Sequence, residues 1–167
     1  NPLHLESLTT ALRESGVPLE ISRTSIRIRM KVKKPTLVSC KIKTHEYPGF
    51  PTDLQAPMTI LLTQAKGEEM VFETIFEGRL NYTESLKGMG ADIKMMDPHR
   101  VIVKGPTPLR GKNLESPDLR AGLAFVIAAT IAKGRSVIHN VYNIDRGYEH
   151  IEQRLQKIGV KIERIPS

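Results

Sequence analysis

Cysteine and aromatic residues are scarce in this chain, and tryptophan is absent. Of its 167 residues, one is cysteine and 5% are aromatic. A single cysteine excludes an internal disulfide framework and a thiolate zinc site, and it is typical of a reducing cytoplasm. The five histidines have no metal-ligand spacing, so we predict no metal. The longest mainly apolar run, residues 123–132, is too short to cross a bilayer, so we expect no membrane partner.

The first residues provide neither an initiator methionine nor a signal peptide, because Asn-Pro-Leu-His-Leu-Glu is polar and amphipathic. We therefore expect an excised piece of a longer cytoplasmic protein. Hydrophobic residues make up 40% of the chain and charged residues 26%, which is typical of one globular domain.

Positive charge exceeds negative charge, with 25 Lys and Arg against 18 Asp and Glu and a net charge of +7. Such an excess favours nucleic acid, anionic surfaces or small phosphorylated and carboxylated ligands. The densest basic cluster, residues 27–34, alternates with apolar residues, which indicates the solvated face of an amphipathic strand. Few aromatic side chains are available to stack on bases. Charge alone therefore leaves a basic RNA-binding module open as an alternative function.

Internal repeats organise the chain. The motif Leu-x-x-x-Gly occurs at 12–16, 86–90 and 155–159, about 70 residues apart, and a short apolar alternation follows each copy. Upstream of the last two copies, Asp-Leu-x-Ala recurs at 53–56 and 118–121, and Lys-Gly recurs at 66–67 and 133–134. This period predicts a small repeated α/β unit, with sheets outside helices that share one core.

The periodicities also predict the elements of each unit. In the second unit these are helices over 53–65, capped by Thr52, and over 82–89, and strands over 70–76, 92–96 and 100–104. In the third unit they are a helix from 116–117 to Gly134, a strand over 136–142, and a helix over 148–158 with Ile151, Leu155 and Ile158 facing a core. In the first unit they are a helix over 3–15, with Leu5, Leu8 and Leu12 inward, and strands over 19–22 and 25–33.

We therefore divide this single domain into three repeats. Residues 1–45 form an incomplete first repeat, 46–110 the second, and 111–167 a third that lacks its last strand.

Charged residues lie at equivalent junctions of the repeats. They are Asp53, Arg79, Asp118, Arg120 and Arg146. Because equivalent junctions converge on one rim of a repeat structure, these side chains could share a cleft. Guanidinium groups bind carboxylates and phosphates through paired hydrogen bonds, and a carboxylate there could accept a proton from a hydroxyl.

Each of these residues also has an ordinary structural interpretation. Asp53 and Asp118 could be first-turn helix residues favoured by the helix dipole, and Arg79 and Arg146 could be exposed loop residues. Ile75 and Phe76 could be core residues of the predicted strand. Cys40 has no histidine nearby that would mark it as a nucleophile, so we interpret it as a strand thiol.

Four motifs together resemble the UDP-N-acetylglucosamine 1-carboxyvinyltransferase family, the UDP-GlcNAc enolpyruvyl transferases. They are Tyr-Pro-Gly-Phe-Pro-Thr-Asp-Leu-Gln at 47–55, Glu-Thr-Ile-Phe-Glu-Gly-Arg at 73–79, Pro-Asp-Leu-Arg-Ala at 117–121 and Asp-Arg-Gly-Tyr-Glu at 145–149. The resemblance implies an enzyme of two domains, each with three βαβαββ units arranged as an inside-out α/β barrel. This chain resembles most of one domain, with incomplete first and last units.

The resemblance also implies a reaction and roles for the site residues. The family transfers the enolpyruvyl group of phosphoenolpyruvate to the 3-hydroxyl of UDP-N-acetylglucosamine, without a cofactor, at the start of peptidoglycan synthesis. By similarity, Asp53 is the general base at the sugar hydroxyl, and Ile75 and Phe76 contact the UDP-sugar.

The remaining roles concern phosphoenolpyruvate. Arg120 and Arg146 hold its carboxylate and phosphate, Arg79 adds positive charge, and Asp118 orients the arginines near the reacting centre. Addition–elimination through a tetrahedral adduct needs such anion-binding groups and proton transfers rather than a metal.

Departures from the family pattern are Gly78 where Asn is usual, Leu-Asn-Tyr at 80–82 where Phe-Met-His is common, and Gly122 where Ser is common. The family's catalytic cysteine lies in the other domain, so we expect this chain to be inactive without that domain. A non-catalytic UDP-sugar-binding homologue is a further alternative. Open strand edges in the incomplete units also predict a dimer or a strand swap of the isolated piece.

Overall fold

The computed structural model describes residues 1–29 and 36–165. In chain order, the strands are β1 (Leu19–Ile21), β2 (Ile26–Ile28), β3 (Ile42–Lys43), β4 (Gly67–Phe72), β5 (Asp92–Asp97), β6 (Arg100–Gly105), β7 (Asn113–Glu115) and β8 (Val137–His139). The helices are α1 (Glu6–Glu14), α2 (Gln55–Gln64), α3 (Thr83–Gly88), α4 (Leu119–Ile131), α5 (Tyr142–Asp145) and α6 (Ile151–Gln156). Short 3-10 turns, Pro2–Leu5 and Thr52–Leu54, precede α1 and α2.

The second repeat contains the one four-stranded sheet of the described residues, in the order β3-β4-β6-β5. Strand β3 is parallel to β4, whereas β6 is antiparallel to both β4 and β5. With α2 and α3, these strands give the sequence of elements βαβαββ. Strand β3 pairs within this sheet although it precedes residue 46, and the division into 1–45, 46–110 and 111–167 stays a prediction.

The third repeat begins with the same strand pairing. Val38 bridges Lys66 and Ile42 lies opposite Val71 in the second repeat, and the matching pairs in the third repeat are Arg110 with Lys133 and Leu114 with Ile138. Each Lys-Gly dipeptide therefore lies where the chain first joins its parallel partner, although β4 begins at Gly67 and β8 begins only at Val137. In the described part of the third repeat, however, the sheet contains only β7 and β8.

The three Leu-x-x-x-Gly motifs adopt one shared turn at the end of a helix. Gly16, Gly90 and Gly159 have φ values of +80°, +103° and +91°. In each motif, the amide after the glycine donates to the carbonyl of the leucine, at 2.9 Å from Val17 to Leu12, 3.0 Å from Ala91 to Leu86 and 3.1 Å from Val160 to Leu155. Glycine populates this left-handed region without the steric penalty of a Cβ atom, so the motif ends each helix. Strands β1 and β5 follow the first two copies.

The core lies between the sheet of the second repeat and the helices. Helices α2 and α4 pack against each other, and Leu62 on α2 and Phe125 on α4 are 0% and 1% exposed. A smaller cluster surrounds Val126, Ile144 and Ile151, where α4 meets α5 and α6. No helix of the described segments is long and apolar enough to span a membrane.

Several predicted boundaries were too long. The predicted strand over 70–76 ends at Phe72, because the Glu73 carboxylate accepts the amides of Ile75 and Phe76 and turns the chain away from the sheet. Thr52 does not cap α2, since its hydroxyl donates to Glu73 instead.

The ends of other elements also differ from the prediction. Helix α6 ends at Gln156, so Ile158 falls beyond it and is 76% exposed rather than in the core. Leu5 lies in the 3-10 turn before α1, where the tighter winding leaves it 39% exposed. Part of the basic cluster, and the end of the strand predicted over 25–33, lie outside the described residues; β2 covers the part within them.

Candidate functional site

Asp53 lies at the end of an approach segment rich in proline. Pro51 is extended, with ψ of 135°, and the chain then turns through Thr52–Leu54 into α2. The side chain of Asp53 is 59% exposed. Its Oδ1 accepts a hydrogen bond from Nε of Arg120, and Nη1 of Arg79 lies 3.9 Å from the same oxygen. The structure therefore brings together three of the predicted site residues.

Arg79 is held by contacts with Thr52 and Phe76. Its Nη1 donates to the Thr52 hydroxyl at 2.6 Å, and its guanidinium carbon lies 3.9 Å from the centre of the Phe76 ring. Only 17% of its side chain is exposed. Burial, and then the positive charge of Arg120, lower the pKa of Arg79. Because Arg79 is buried in this way, the interpretation as an ordinary exposed loop arginine was wrong.

Asp118 and Arg120 lie at the start of α4. Asp118 is the N-cap, and its Oδ1 accepts the amides of Arg120 at 2.7 Å and Ala121 at 3.0 Å. Capping in this way satisfies helix amides that have no carbonyl partner within the helix. The hydrogen bond to Asp53 raises the pKa of Arg120, which stays a cation at neutral pH.

Ile75 and Phe76 lie in the loop after β4 rather than in a strand. Their amides donate to Oε1 of Glu73 at 2.9 and 3.2 Å. The carbonyl of Ile75 has no hydrogen-bond partner in the described part of the chain, and the Phe76 side chain is 48% exposed. The loop thus presents a backbone acceptor and an aromatic ring beside Arg79.

Arg146 is not joined to this group. It follows α5 and is exposed, and its side chain makes no hydrogen bond or ion pair with residues 1–29 or 36–165. Tyr148, two residues further on, does lie near the group: burial raises its pKa, and the charge of Asp53 raises it further.

Sequence reasoning predicted no role at the site for Glu73 or Tyr148, and it predicted Thr52 only as a helix cap. Glu73 is fully buried, and a carboxylate within a run of β-forming residues was the one available signal, since a buried charge needs specific partners. Tyr148 was within a motif that we quoted, but nothing in its spacing pointed to Asp53.

The structure shows the environment of two residues that depart from the family pattern, Gly122 and Gly78. A Cβ atom at Gly122 would lie 2.3 Å from the Ser116 hydroxyl and 2.5 Å from Cγ1 of Ile144, so the serine common in the family does not fit here without movement. Gly78 has a φ of +72°, which glycine tolerates and which asparagine adopts more readily than most residues.

Cys40 lies in the core and is not part of the site. Its thiol lies 3.1 Å from the Ser15 hydroxyl, and burial raises its pKa. A thiol with a raised pKa is a poor nucleophile at neutral pH.

The site can therefore bind an anion and accept a proton. Two guanidinium groups flank one exposed carboxylate, and both approach its Oδ1. Oδ2 of Asp53 has no hydrogen-bond partner among the described residues, so it is open to a hydroxyl group.

Relatives with curated names match almost the whole chain. UDP-N-acetylglucosamine 1-carboxyvinyltransferase from Treponema denticola is 43% identical over 169 residues, which cover 97% of this chain and 39% of that protein. The protein of the same name from Koribacter versatilis is 44% identical over 165 residues, which cover 99% of this chain and 37% of the relative. The chain thus spans less than half the length of these relatives, and they confirm the resemblance seen in its motifs.

Solved structures share the fold. The enolpyruvyl transferase NikO from Streptomyces tendae has a TM-score of 0.85 and 25% identity, covering 95% of this chain and 36% of that one. EPSP synthase from Acinetobacter baumannii has a TM-score of 0.70 at 16% identity, covering 96% and 37%. These likenesses confirm the predicted enolpyruvyl transferase fold, while its closure as an inside-out barrel stays a prediction.

A sequence pattern of a known protein family also matches this chain. The pattern of EPSP synthase (3-phosphoshikimate 1-carboxyvinyltransferase) matches residues 1–155. Since this match extends over most of the chain and solved enolpyruvyl transferases share its fold, the chain belongs to the EPSP synthase family.

Proposed function

We propose that this chain is part of a cytoplasmic enolpyruvyl transferase that makes the first committed intermediate of peptidoglycan. The enzyme moves the enolpyruvyl group of phosphoenolpyruvate to the 3-hydroxyl of UDP-N-acetylglucosamine and releases phosphate. The single observation that carries the proposal is the exposed carboxylate of Asp53 beside Arg79 and Arg120. The names of the relatives at 43% and 44% identity support the choice of the sugar nucleotide as acceptor.

In this proposal Asp53 accepts the proton of the 3-hydroxyl. The hydroxyl approaches Oδ2, because Arg120 and Arg79 both approach Oδ1. Its oxygen then adds to C2 of phosphoenolpyruvate while C3 gains a proton from the other domain. Loss of a proton from C3 and of phosphate from C2 completes the transfer. A carboxylate in this position contributes by general base catalysis, typically about 10²–10⁴-fold in rate.

The loop after β4 holds the sugar nucleotide. The Ile75 carbonyl, which has no partner in the described residues, accepts a hydrogen bond from the ligand, and the Phe76 ring packs beside it. The Arg79 guanidinium stacks on that ring and keeps it in place.

Phosphoenolpyruvate is held by the arginines. Arg120 and Arg146 bind its carboxylate and phosphate, and Arg79 adds positive charge to the same side of Asp53. Asp118 orients Arg120 through its cap of α4. Arg146 is exposed after α5, so this role requires its long side chain to turn toward Arg120 when the ligand binds.

The rest of the protein completes both the active site and the third repeat. A cavity of about 810 Å³ lies between β8 and residues 160–165. In the second repeat, β6 occupies the equivalent place between β4 and β5. We infer that a strand from the remainder of the protein, which is more than half of the relatives' length, fills this space.

Sedimentation tests the inference that this space beside β8 accepts a strand from outside the chain. The isolated chain is expected to associate with increasing concentration, because the edge of β8 is open to a strand from a second copy. A protein of the relatives' full length is expected to lack this association. If the isolated chain remains monomeric at every concentration, a strand swap between copies is excluded.

The transferase proposal is tested by phosphate release in a full-length protein that contains this chain. We expect release with phosphoenolpyruvate and UDP-N-acetylglucosamine, none with shikimate 3-phosphate as acceptor, and a loss of at least about 10²-fold for Asp53→Asn. Turnover with shikimate 3-phosphate but not with UDP-N-acetylglucosamine would show that the proposed acceptor is wrong. Turnover by the isolated chain, lost on Asp53→Asn, would overturn the need for a second domain.

Binding by the isolated chain separates this proposal from the RNA-binding alternative. Saturable amide shifts of Ile75 and Phe76 with UDP-N-acetylglucosamine, absent in Asp53→Ala, would support a preformed half-site. Shifts with a short RNA that disappear with added salt, and none with the sugar nucleotide, would favour the RNA-binding module.

A further inference from the structure

Glu73 is a buried carboxylate directly after β4, and it is 0% exposed. Its Oε1 accepts the Thr44 hydroxyl at 3.1 Å and the amides of Ile75 and Phe76 at 2.9 and 3.2 Å. Its Oε2 accepts the Thr52 hydroxyl at 2.8 Å. Within the described residues, all four partners are neutral donors. A buried carboxylate is tolerated only when its oxygens are satisfied in this way.

The four donors come from three separate segments of the site. Thr44 follows β3, Thr52 immediately precedes Asp53, and Ile75 and Phe76 form the loop that presents a free carbonyl and an aromatic ring. One carboxylate therefore joins the segment that carries Asp53 to the segment proposed to contact the sugar nucleotide.

A second connection runs through the Thr52 hydroxyl. It donates its proton to Glu73 and accepts a hydrogen bond from Nη1 of Arg79 at 2.6 Å. A hydroxyl has one proton, so donating it to the carboxylate leaves lone pairs that face the guanidinium. Glu73 thereby fixes the direction of the Thr52 hydroxyl and the position of Arg79, which lies 3.9 Å from Asp53.

We propose that Glu73 is a positioning residue that holds Asp53, Arg79 and the Ile75–Phe76 backbone in one geometry for substrate. The proposal rests on the function proposed above. It assigns two separable effects to one side chain: through the Ile75–Phe76 loop it lowers KM for the sugar nucleotide, and through Thr52 it raises kcat.

Glutamine is the matched substitution, because it keeps the size of the side chain and replaces one acceptor oxygen with a donor amide. The backbone amides of Ile75 and Phe76 can only donate hydrogen bonds. The glutamine oxygen therefore faces these amides, and its NH₂ group faces Thr52. The Thr52 proton then loses its acceptor. We expect Glu73→Gln to lower kcat/KM in the full-length protein by about 10²-fold.

Substitutions of Thr52 isolate the second connection. Thr52→Val removes the hydroxyl between Glu73 and Arg79 and is expected to lower kcat with little change in KM. Thr52→Ser keeps the hydroxyl and is expected to restore kcat to within about threefold of the unsubstituted protein. Thr59→Val is the control for loss of a buried hydroxyl, since Thr59 is 0% exposed and bonds Gln55 rather than the site.

The outcomes are distinguishable. If Glu73→Gln changes kcat/KM by no more than Thr59→Val does, the positioning role is wrong while the transferase proposal stands. If Glu73→Gln does not fold, Thr52→Val decides: a drop in kcat that Thr52→Ser does not show supports the role, and equal behaviour of the two overturns it.

If the unsubstituted full-length protein shows no turnover, the transferase proposal fails by itself. The positioning role is then judged by NMR on that protein. Unchanged shifts for the Ile75 and Phe76 amides and the Arg79 guanidinium in Glu73→Gln would overturn it.

Discussion

The second and third repeats share their local pairings but differ in how they are packed. Both contain a parallel pair of strands that a bridge at the lysine of a Lys-Gly dipeptide precedes, and both contain the same leucine-to-glycine turn. Among the described residues, the second repeat has four strands and contributes most of the core, whereas the third has two strands and a small cluster of its own. Local sequence therefore determines the turn and the first pairing, but it does not by itself give the two repeats the same sheet or the same packing.

Equivalent charged residues also differ between the two repeats. Asp53 and Asp118 occupy the same position of the Asp-Leu-x-Ala motif, yet the Asp53 side chain is exposed beside two arginines and Asp118 caps α4. Arg79 is largely buried at the site, whereas the equivalent Arg146 is exposed. The same motif position therefore carries an exposed carboxylate in one repeat and a helix cap in the other.

The largest expected difference between the repeats is in catalysis at these two aspartates. Asp53→Asn in the full-length protein should lower kcat by about 10²–10⁴-fold, because asparagine cannot accept the hydroxyl proton. Asp118→Asn should cause a smaller loss, since asparagine caps a helix as well as aspartate does and keeps Arg120 in place. Steady-state kinetics of the two variants, with urea unfolding as the control for folding, checks this. Equal losses in kcat would contradict the division of roles.

The next contrast concerns the buried leucine of the repeated turn. Leu86 is 0% exposed in the main core, and Leu155 is partly buried against the small cluster. Leu86→Ala should lower the free energy of unfolding by about 2–5 kcal/mol. Leu155→Ala should lower it by about 1 kcal/mol, because less apolar surface is lost from the interior.

Urea unfolding of the full-length protein measures both leucine variants. The two repeats would be equally well packed, against our interpretation, if Leu155→Ala cost as much as Leu86→Ala.

The glycine of the same turn gives a smaller effect that is more alike in the two repeats. Gly90 and Gly159 both have positive φ, so replacement by alanine should cost each about 1–2 kcal/mol of unfolding free energy. A Cβ at Gly90 would also lie 3.2 Å from the Pro108 carbonyl, whereas nothing lies within 4 Å at Gly159. Gly90→Ala should therefore be the more destabilising of the two, and a larger effect for Gly159→Ala would refute this view of the turn.

The smallest expected effect is a pH dependence confined to the third repeat. Arg164 donates to both oxygens of Asp145, at 2.9 and 2.7 Å, and holds the pKa of that carboxyl below its usual value. Because the pKa is lowered on folding, the pair stabilises the protein above the usual aspartate pKa of about 3.9. The stability is lost as the pH falls through the lower, folded pKa.

Solvent screening keeps the contribution of this pair below about 1 kcal/mol, since both side chains are about 40% exposed. Arg164→Ala should remove that part of the acid dependence when urea unfolding is followed between pH 6 and 2. An unchanged acid profile for the variant would mean that the pair adds nothing to stability.

Much of the fold was predictable because it depends on local interactions. Strands β5 and β6 were predicted to within one residue, since alternating residues on each side of Asp-Pro-His indicate a hairpin. The end of β4 was not predictable, because it depends on the Glu73 carboxylate and its donors rather than on any period along the chain. Helix α6 ends before the predicted residue 158, at the turn through Gly159 that the sequence does indicate.

Part of the candidate site was predictable as well. Asp53, Arg79 and Arg120 were predicted to share a cleft because they occupy equivalent junctions of the repeats, and the structure brings them together. Arg146 was predicted with them, but its side chain has no partner in the described residues. The catalytic and binding roles of all these residues, and of Asp118, Ile75 and Phe76, stay predictions.

The sequence by itself determined the repeat, the helix-ending glycines and the motifs of the family, because these depend on residue types at short spacings. Tertiary structure alone decided which atoms of the charged residues pair and that Arg146 is not among them. Arg120 reaches Asp53 across 67 residues because α2 and α4 pack side by side. Glu73 collects donors up to 29 residues away because β3 and β4 pair in parallel. Such contacts depend on the packing of whole elements, and no local pattern of residues specifies them.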